Sequence, residues 1–100
     1  MTWLMVATAY VANCDGCTGT MASGLRAEHE YGYVAASPAW AFGTCLELYI
    51  DRRWQRVTVQ DRGSKVRKRN RLDILAPTVE EASAWGRRKV RVRYCDDFNR

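Results

Sequence analysis

Apolar positions along the chain fall in short runs bounded by Gly, Pro and charged clusters, the pattern of a protein built from short strands. Residues 3–13 (WLMVATAYVAN) are rich in Val, Thr, Tyr and Trp and predict a first strand. Residues 14–24 (CDGCTGTMASG) predict a loop, and the short charged stretch 25–30 follows neither strand nor helix pattern. Residues 31–36 (YGYVAA) predict a short strand, stopped by Pro38, which biases Ser37 toward an extended backbone. Residues 44–50 and 54–60 flank the polar Asp51-Arg52-Arg53 and predict a hairpin, with one phase slip in its second strand. A basic loop, 61–71, leads to a short strand, 72–75 (LDIL), with one acid among aliphatics. Thr78 and Glu81 have capping-box spacing and predict a short helix that ends at Gly86. Residues 90–94 (VRVRY) alternate cleanly and predict the last strand, with Arg91 and Arg93 on its wet face. Residues 96–100 predict a frayed tail. About six short strands and one short helix indicate a small barrel or sandwich, without internal repeats.

The length, 100 residues, suits one domain spanning 1–100 with a core over about 3–95. Hydrophobic residues are 47% and charged residues 27%, which excludes the profile of a disordered chain. No stretch approaches the ~18–20 apolar residues of a membrane span, so no membrane insertion is expected. The apolar opening, 1–12, lacks a basic start and reads as a strand rather than a signal peptide. Without an export signal in the sequence, a cytoplasmic or virion protein, or a mature or excised domain, is expected.

Four cysteines, Cys14, Cys17, Cys45 and Cys95, allow three disulfide pairings. Cys14-x-x-Cys17 also has the spacing of half a zinc site. The second close pair of a zinc ribbon is missing, and the single His29 stands apart, so disulfides or buried thiols are favoured over metal.

Among the acids, Asp61 precedes Arg62-Gly63 at a strand end, and Asp73 sits between Leu72 and Ile74. A carboxylate there faces solvent or is held in a cleft, where apolar neighbours raise and arginines lower its pKa. A cleft would suit a general acid; a solvated or capping carboxylate is the plainer alternative. The run 65–71 (KVRKRNR) and the net charge of +5 suit phosphates, an anionic cell-wall polymer or simple solvation. Trp3, Trp40, Trp54 and Trp85 read mainly as core or rim. No Ser–His catalytic pair is indicated.

The order of motifs resembles the 3D domain, named for three aspartates and related to lytic transglycosylase A and rare lipoprotein A. Thr8-Ala9-Tyr10 is similar to the family's opening T-A-Y, and Ala22-Ser23-Gly24 to the end of its T-A-S/T-G. The stretch Val34-Ala35-Ala36-Ser37-Pro38 with Phe42-Gly43-Thr44 resembles V-A-V-D-P and L-G-T. Val59-Gln60-Asp61-Arg62-Gly63 resembles both E-D-T-G-G and N-D-R-G-P. Asn70-Arg71-Leu72-Asp73-Ile74, with Pro77-Thr78, Glu81-Ala82 and Gly86-Arg87-Arg88, resembles N-R-I-D-I, P-T-x-x-E-A and G-R-R. The match runs over roughly residues 7–94. Departures are Ser37 at the first family aspartate, Met21 for Thr, Ala41 for Pro and Ser64 for the second Gly.

The resemblance implies a mainly β fold, a six-stranded double-psi β-barrel with one short helix, acting on the peptidoglycan glycan strand. It implies Asp73 as catalytic acid and Asp61 as the second functional carboxylate. Substrate contacts are expected from Ser37, Ser23, Tyr10, Arg62, Asn70 and Arg71. Lytic transglycosylase chemistry requires no metal or cofactor. A phage lysis or tail-associated protein is the expected setting. Ser37 for aspartate leaves open an inactive cell-wall-binding or virion module. Nucleic-acid binding ranks last, because no stacking aromatics interleave the basic loop.

Overall fold

The computed structural model describes residues 1–12, 19–26, 32–63 and 66–95. Six strands and one helix follow in chain order: β1 (Trp3–Tyr10), β2 (Tyr33–Ala36), β3 (Cys45–Ile50), β4 (Arg53–Asp61), β5 (Arg71–Leu75), α1 (Val79–Trp85) and β6 (Arg88–Tyr94). The strands close into a barrel in the order β1-β5-β2-β4-β3-β6. Two of its pairs, β1 with β5 and β2 with β4, are parallel, and the rest are antiparallel. Closure removes exposed strand edges, which a barrel this small would otherwise present to other chains.

Alternation decides which side chains fill the interior. Met5 and Ala7 of β1, Val34 and Ala36 of β2, Leu46 and Leu48 of β3, Val57 and Val59 of β4, Leu72 of β5, and Val90 and Val92 of β6 form one buried cluster with Trp40. Every strand therefore contributes to one core, and at roughly 25 cal/mol per Å2 of apolar surface that burial is the main term opposing chain entropy. A second, smaller cluster places Met21 against Leu75, Tyr10 and Tyr33.

The strand ends differ from the sequence expectation for identifiable reasons. β1 stops at Tyr10 rather than 13, because its parallel partner β5 ends at Leu75 and the Tyr10 carbonyl accepts from Ala76 N at 2.7 Å. β6 begins at Arg88 rather than 90, because Arg88 and Lys89 extend the ladder opposite Ala7 and Val6 while their side chains face water. The helix starts as expected, with Thr78 Oγ1 accepting from Glu81 N at 3.1 Å and Glu80 and Glu81 in its first turn.

The β3–β4 hairpin turns on Asp51 and Arg52, both with positive φ (53° and 66°). A two-residue turn of this hand matches strand twist but favours Asn and Gly, so Arg52 carries backbone strain. A Cβ on Gly63 would lie 2.8 Å from Cγ2 of the buried Val66, which explains a glycine directly after Asp61-Arg62. Cys45 at the start of β3 and Cys95 just after β6 form a disulfide across the β3–β6 seam. Cys14, Cys17, His29, Ser64 and Lys65, and the tail 96–100, lie outside the described residues.

Candidate functional site

The site is built on the middle of the barrel wall. In β5, Leu72 is buried, and its neighbour Asp73 is half-buried. Asp73 stands opposite Thr8 of β1 on one side and Ala35 of β2 on the other. Ala35 in turn pairs with Asp61 at the end of β4, past a register shift between Val34 and Ala35. Thr8, Asp73, Ala35 and Asp61 thus form one row across four strands. With strands about 4.7–4.9 Å apart, the two aspartates are separated by roughly 10 Å between Cα atoms.

Asp61 is held from three directions. Tyr10 Oη donates to Oδ2 at 2.8 Å, while Ala22 N and Arg62 N donate to Oδ1 at 2.8 and 2.9 Å. The Ala22 bond, with Ser23 N donating to Gln60 O at 2.9 Å, ties segment 19–26 to the end of β4. Both carboxylate oxygens of Asp61 thus serve as hydrogen-bond acceptors, and three donors fix their positions. Asp73 receives the Thr8 hydroxyl on Oδ1 at 3.1 Å.

Tyr10 links the two acids. Its phenol is pushed far above the ordinary tyrosine value, first by burial, then by its hydrogen bond to Asp61 and by the charges of Asp61 and Asp73. The phenol therefore remains a proton-bearing donor at any physiological pH.

The remaining expected contacts divide into those beside the acids and those with local roles. Arg62 lies beside Asp61, its Nη1 donating to Ala36 O at 3.4 Å and Asp61 O at 3.3 Å, its guanidinium 4.0 Å over the half-exposed Phe42 ring. Arg71 precedes Asp73 by two residues on β5, and its buried Nε has no hydrogen-bond partner among the described residues. Asn70 leads into β5, its carbonyl accepting from Val6 N at 2.9 Å. Ser23 Oγ accepts from Leu25 N at 3.4 Å. Ser37 is buried, its Oγ accepting from Ala39 N at 3.2 Å and its carbonyl from Trp40 N at 3.0 Å. Its hydroxyl thus braces the Ser37–Pro38–Ala39–Trp40 turn at the end of β2.

Three participants carried no assigned role in the sequence reading: Thr8, Phe42 and the backbone N–H of Ala22. Thr8 was legible as an outward position of β1; the other two depend on loops folding back onto β4. Among the described residues, no group of three or more His, Cys, Asp or Glu is placed to hold a metal ion. No helix among them is long and apolar enough to cross a membrane.

No family model matches the chain. It is 34% identical over 98 residues to the SPβ prophage-derived uncharacterized protein YorM of Bacillus subtilis, a match covering 90% of this chain and 40% of that protein. Among solved structures, the apo expansin of Clavibacter michiganensis superposes with a TM-score of 0.68 at 24% identity, over 97% of this chain and 52% of the expansin. A mutant of that expansin in complex with cellohexaose gives the same values. The Streptomyces papain inhibitor superposes with a TM-score of 0.63 at 20% identity, over 96% of both chains. The chain thus spans less than half the length of the curated relative and about half that of the expansin, and its fold is the double-psi β-barrel these structures share.

Proposed function

We propose that the barrel is a single 3D-type domain, core residues 3–95, that cleaves the glycan strand of peptidoglycan as a lytic transglycosylase. The observation that carries the reading is the row Thr8–Asp73–Ala35–Asp61, with Tyr10 bonded to one acid and feeling the charge of both. The cellohexaose complex of an expansin supports a polysaccharide as ligand of this fold. The prophage-derived relative supports a phage lysis or tail-associated setting.

Asp73 acts first as acid. Its carboxyl protonates the glycosidic oxygen between N-acetylmuramyl and N-acetylglucosaminyl units, and the C1–O bond breaks through an oxocarbenium-like state. The resulting carboxylate then accepts the proton of the muramyl 6-hydroxyl, whose oxygen bonds to C1 and closes the 1,6-anhydro ring. No water, metal or cofactor enters the balance. Asp61, fixed by three donors, supplies negative charge near the developing cation and holds Tyr10. Arg62, Asn70 and Arg71 contact the glycan, and the basic segment that contains them speeds encounter with an anionic wall, more at low salt.

One observation favours a second reading, a wall-binding module without cleavage. Ser37 stands where the related family has its first aspartate, and it is buried within its own turn. Digestion of purified peptidoglycan, with products separated by mass, tests both. Products about 18 Da lighter than hydrolysis gives, the mass of one water avoided by this non-hydrolytic route, support the transglycosylase. Hydrated products contradict its mechanism, and tight wall binding without release supports the module.

A further inference from the structure

The barrel wall opposite the acid row carries a second set of side chains. In the ring β1-β5-β2-β4-β3-β6, strands β3 and β6 lie across from β5 and β2. Leu46, Leu48, Val90 and Val92 point inward from them, so Glu47, Tyr49, Lys89, Arg91 and Arg93 point outward. Strand register sets two rows on this outer face. Leu4, Arg91, Tyr49 and Trp54 stand side by side across β1, β6, β3 and β4, and Arg93, Glu47 and Arg56 form the row beside them.

Contacts within the rows fix the rings and part of the charge. Tyr49 and Trp54 meet at 5.1 Å between centroids, tilted by 56°. The Arg93 guanidinium covers the Trp54 ring at 3.9 Å, and its Nε donates to Glu47 Oε1 at 2.9 Å. Arg91 Nη1 donates to Thr2 Oγ1 at 3.1 Å. Tyr49, between Arg91 and Trp54, is 44% exposed. Arg56, Lys89 and Arg91 are exposed as well.

Two features distinguish this face from a solvated sheet surface, which mixes both signs of charge. The outer positions of β3, β4 and β6 hold four cations, Arg56, Lys89, Arg91 and Arg93, against one acid, Glu47, which Arg93 already neutralises. An exposed ring stands among these cations, braced by a second ring. Three of the four cations are arginines, whose planar fork matches phosphate. A neutral glycan would use the ring and not the cations, and a phosphate chain without bases would use the cations and not the ring. A duplex keeps its base faces within its own stack. A single strand of nucleic acid offers both phosphates and open base faces. The basic segment 65–71 has no ring of its own, whereas here the strand order brings Tyr49 and Trp54 beside arginines distant in sequence.

We propose that this outer face binds single-stranded nucleic acid: Tyr49, backed by Trp54, stacks on an unpaired base, and Arg56, Lys89 and Arg91 take the flanking phosphates. The inference is independent of glycan cleavage, because none of these residues belongs to the acid row.

The test uses the full chain and a labelled oligothymidylate of about twelve nucleotides, within the span one small barrel covers, followed by fluorescence anisotropy. Wild type should bind, with log affinity falling against log salt at a slope of about −2, as three phosphate contacts on a single strand give. Tyr49→Ala should weaken binding about tenfold, the scale of one stacked base, with the salt slope unchanged, and Tyr49→Phe should restore it. Arg91→Gln should make the slope shallower by about 0.7. Both variants should keep the wild-type melting temperature, since both side chains are exposed. Lack of binding at low salt overturns the proposal, as does a Tyr49→Ala protein that binds like wild type. Equal affinity for inorganic polyphosphate of the same charge, or for duplex of the same length, overturns the base-stacking role and reduces the face to a general polyanion surface. Loss of binding to purified peptidoglycan in Tyr49→Ala, with oligothymidylate binding unchanged, overturns it in favour of a glycan.

Discussion

Removing the Cys45–Cys95 disulfide should lower stability by about 4 kcal/mol. The crosslink closes a sequence separation of 50 residues, about half the chain. In the chain-entropy model, opening a loop of that length restores about 14 cal/mol/K to the unfolded ensemble, or about 4 kcal/mol at 25 °C. The folded state should lose little by comparison. β3 and β6 remain paired through Leu46 and Tyr94, Glu47 and Arg93, Leu48 and Val92, and Tyr49 and Arg91. The Arg93 Nε to Glu47 Oε1 contact at 2.9 Å also spans the seam. The effect therefore falls on the unfolded chain. The double variant Cys45→Ser/Cys95→Ser isolates it, leaving Cys14 and Cys17 in place. Urea unfolding followed by tryptophan fluorescence should show a lower midpoint, and Tm should fall by about 15–30 °C for a domain of this size. A loss below about 1 kcal/mol would show that the crosslink does not restrain the unfolded chain and that strand pairing alone holds the seam.

Other outcomes follow from particular contacts. Arg52→Gly should raise stability by about 0.5–1 kcal/mol in thermal melts, since the positive φ at Arg52 costs a side chain more than it costs glycine. Gly63→Ala should cost about 1–3 kcal/mol by forcing a Cβ into Val66 Cγ2, with reduced glycan affinity because Arg62 and Asp61 shift with it. The folded state keeps the Tyr10 proton above pH 10 while the unfolded chain releases it, so the stability present below that pH should fall as pH rises further. The slope approaches about 1.4 kcal/mol per pH unit for one proton. Tyr10→Phe should flatten that alkaline limb in urea titrations between about pH 9 and 11.

The sequence carried the barrel through its alternating strands. Val57 and Val59, or Val90 and Val92, announce an inward face without any other knowledge. Strand ends were less legible, since β1 stops where its partner does and β6 starts on charged residues that no apolar pattern marks. Asp61 and Asp73 were visible as acids in apolar or strand-end positions. Their relation was not, because it depends on Ala35 lying between them in a strand order that departs from chain order. The threefold hold on Asp61 was likewise hidden, as it needs the 19–26 segment to fold against β4. Ser37 is a further case: its place in a motif suggests a sugar contact, and the motif does not reveal that its Oγ also accepts from Ala39 N.

The central claim is that Asp73 transfers the proton in glycan cleavage, and Asp73→Asn tests it most directly. The variant retains a group that accepts from Thr8 but cannot cycle a proton, so its melting temperature and wall binding should match wild type. Release of anhydro-muropeptides from purified peptidoglycan should fall by at least about a hundredfold, the usual scale for losing a general acid. Full release by a folded Asp73→Asn protein would contradict the account.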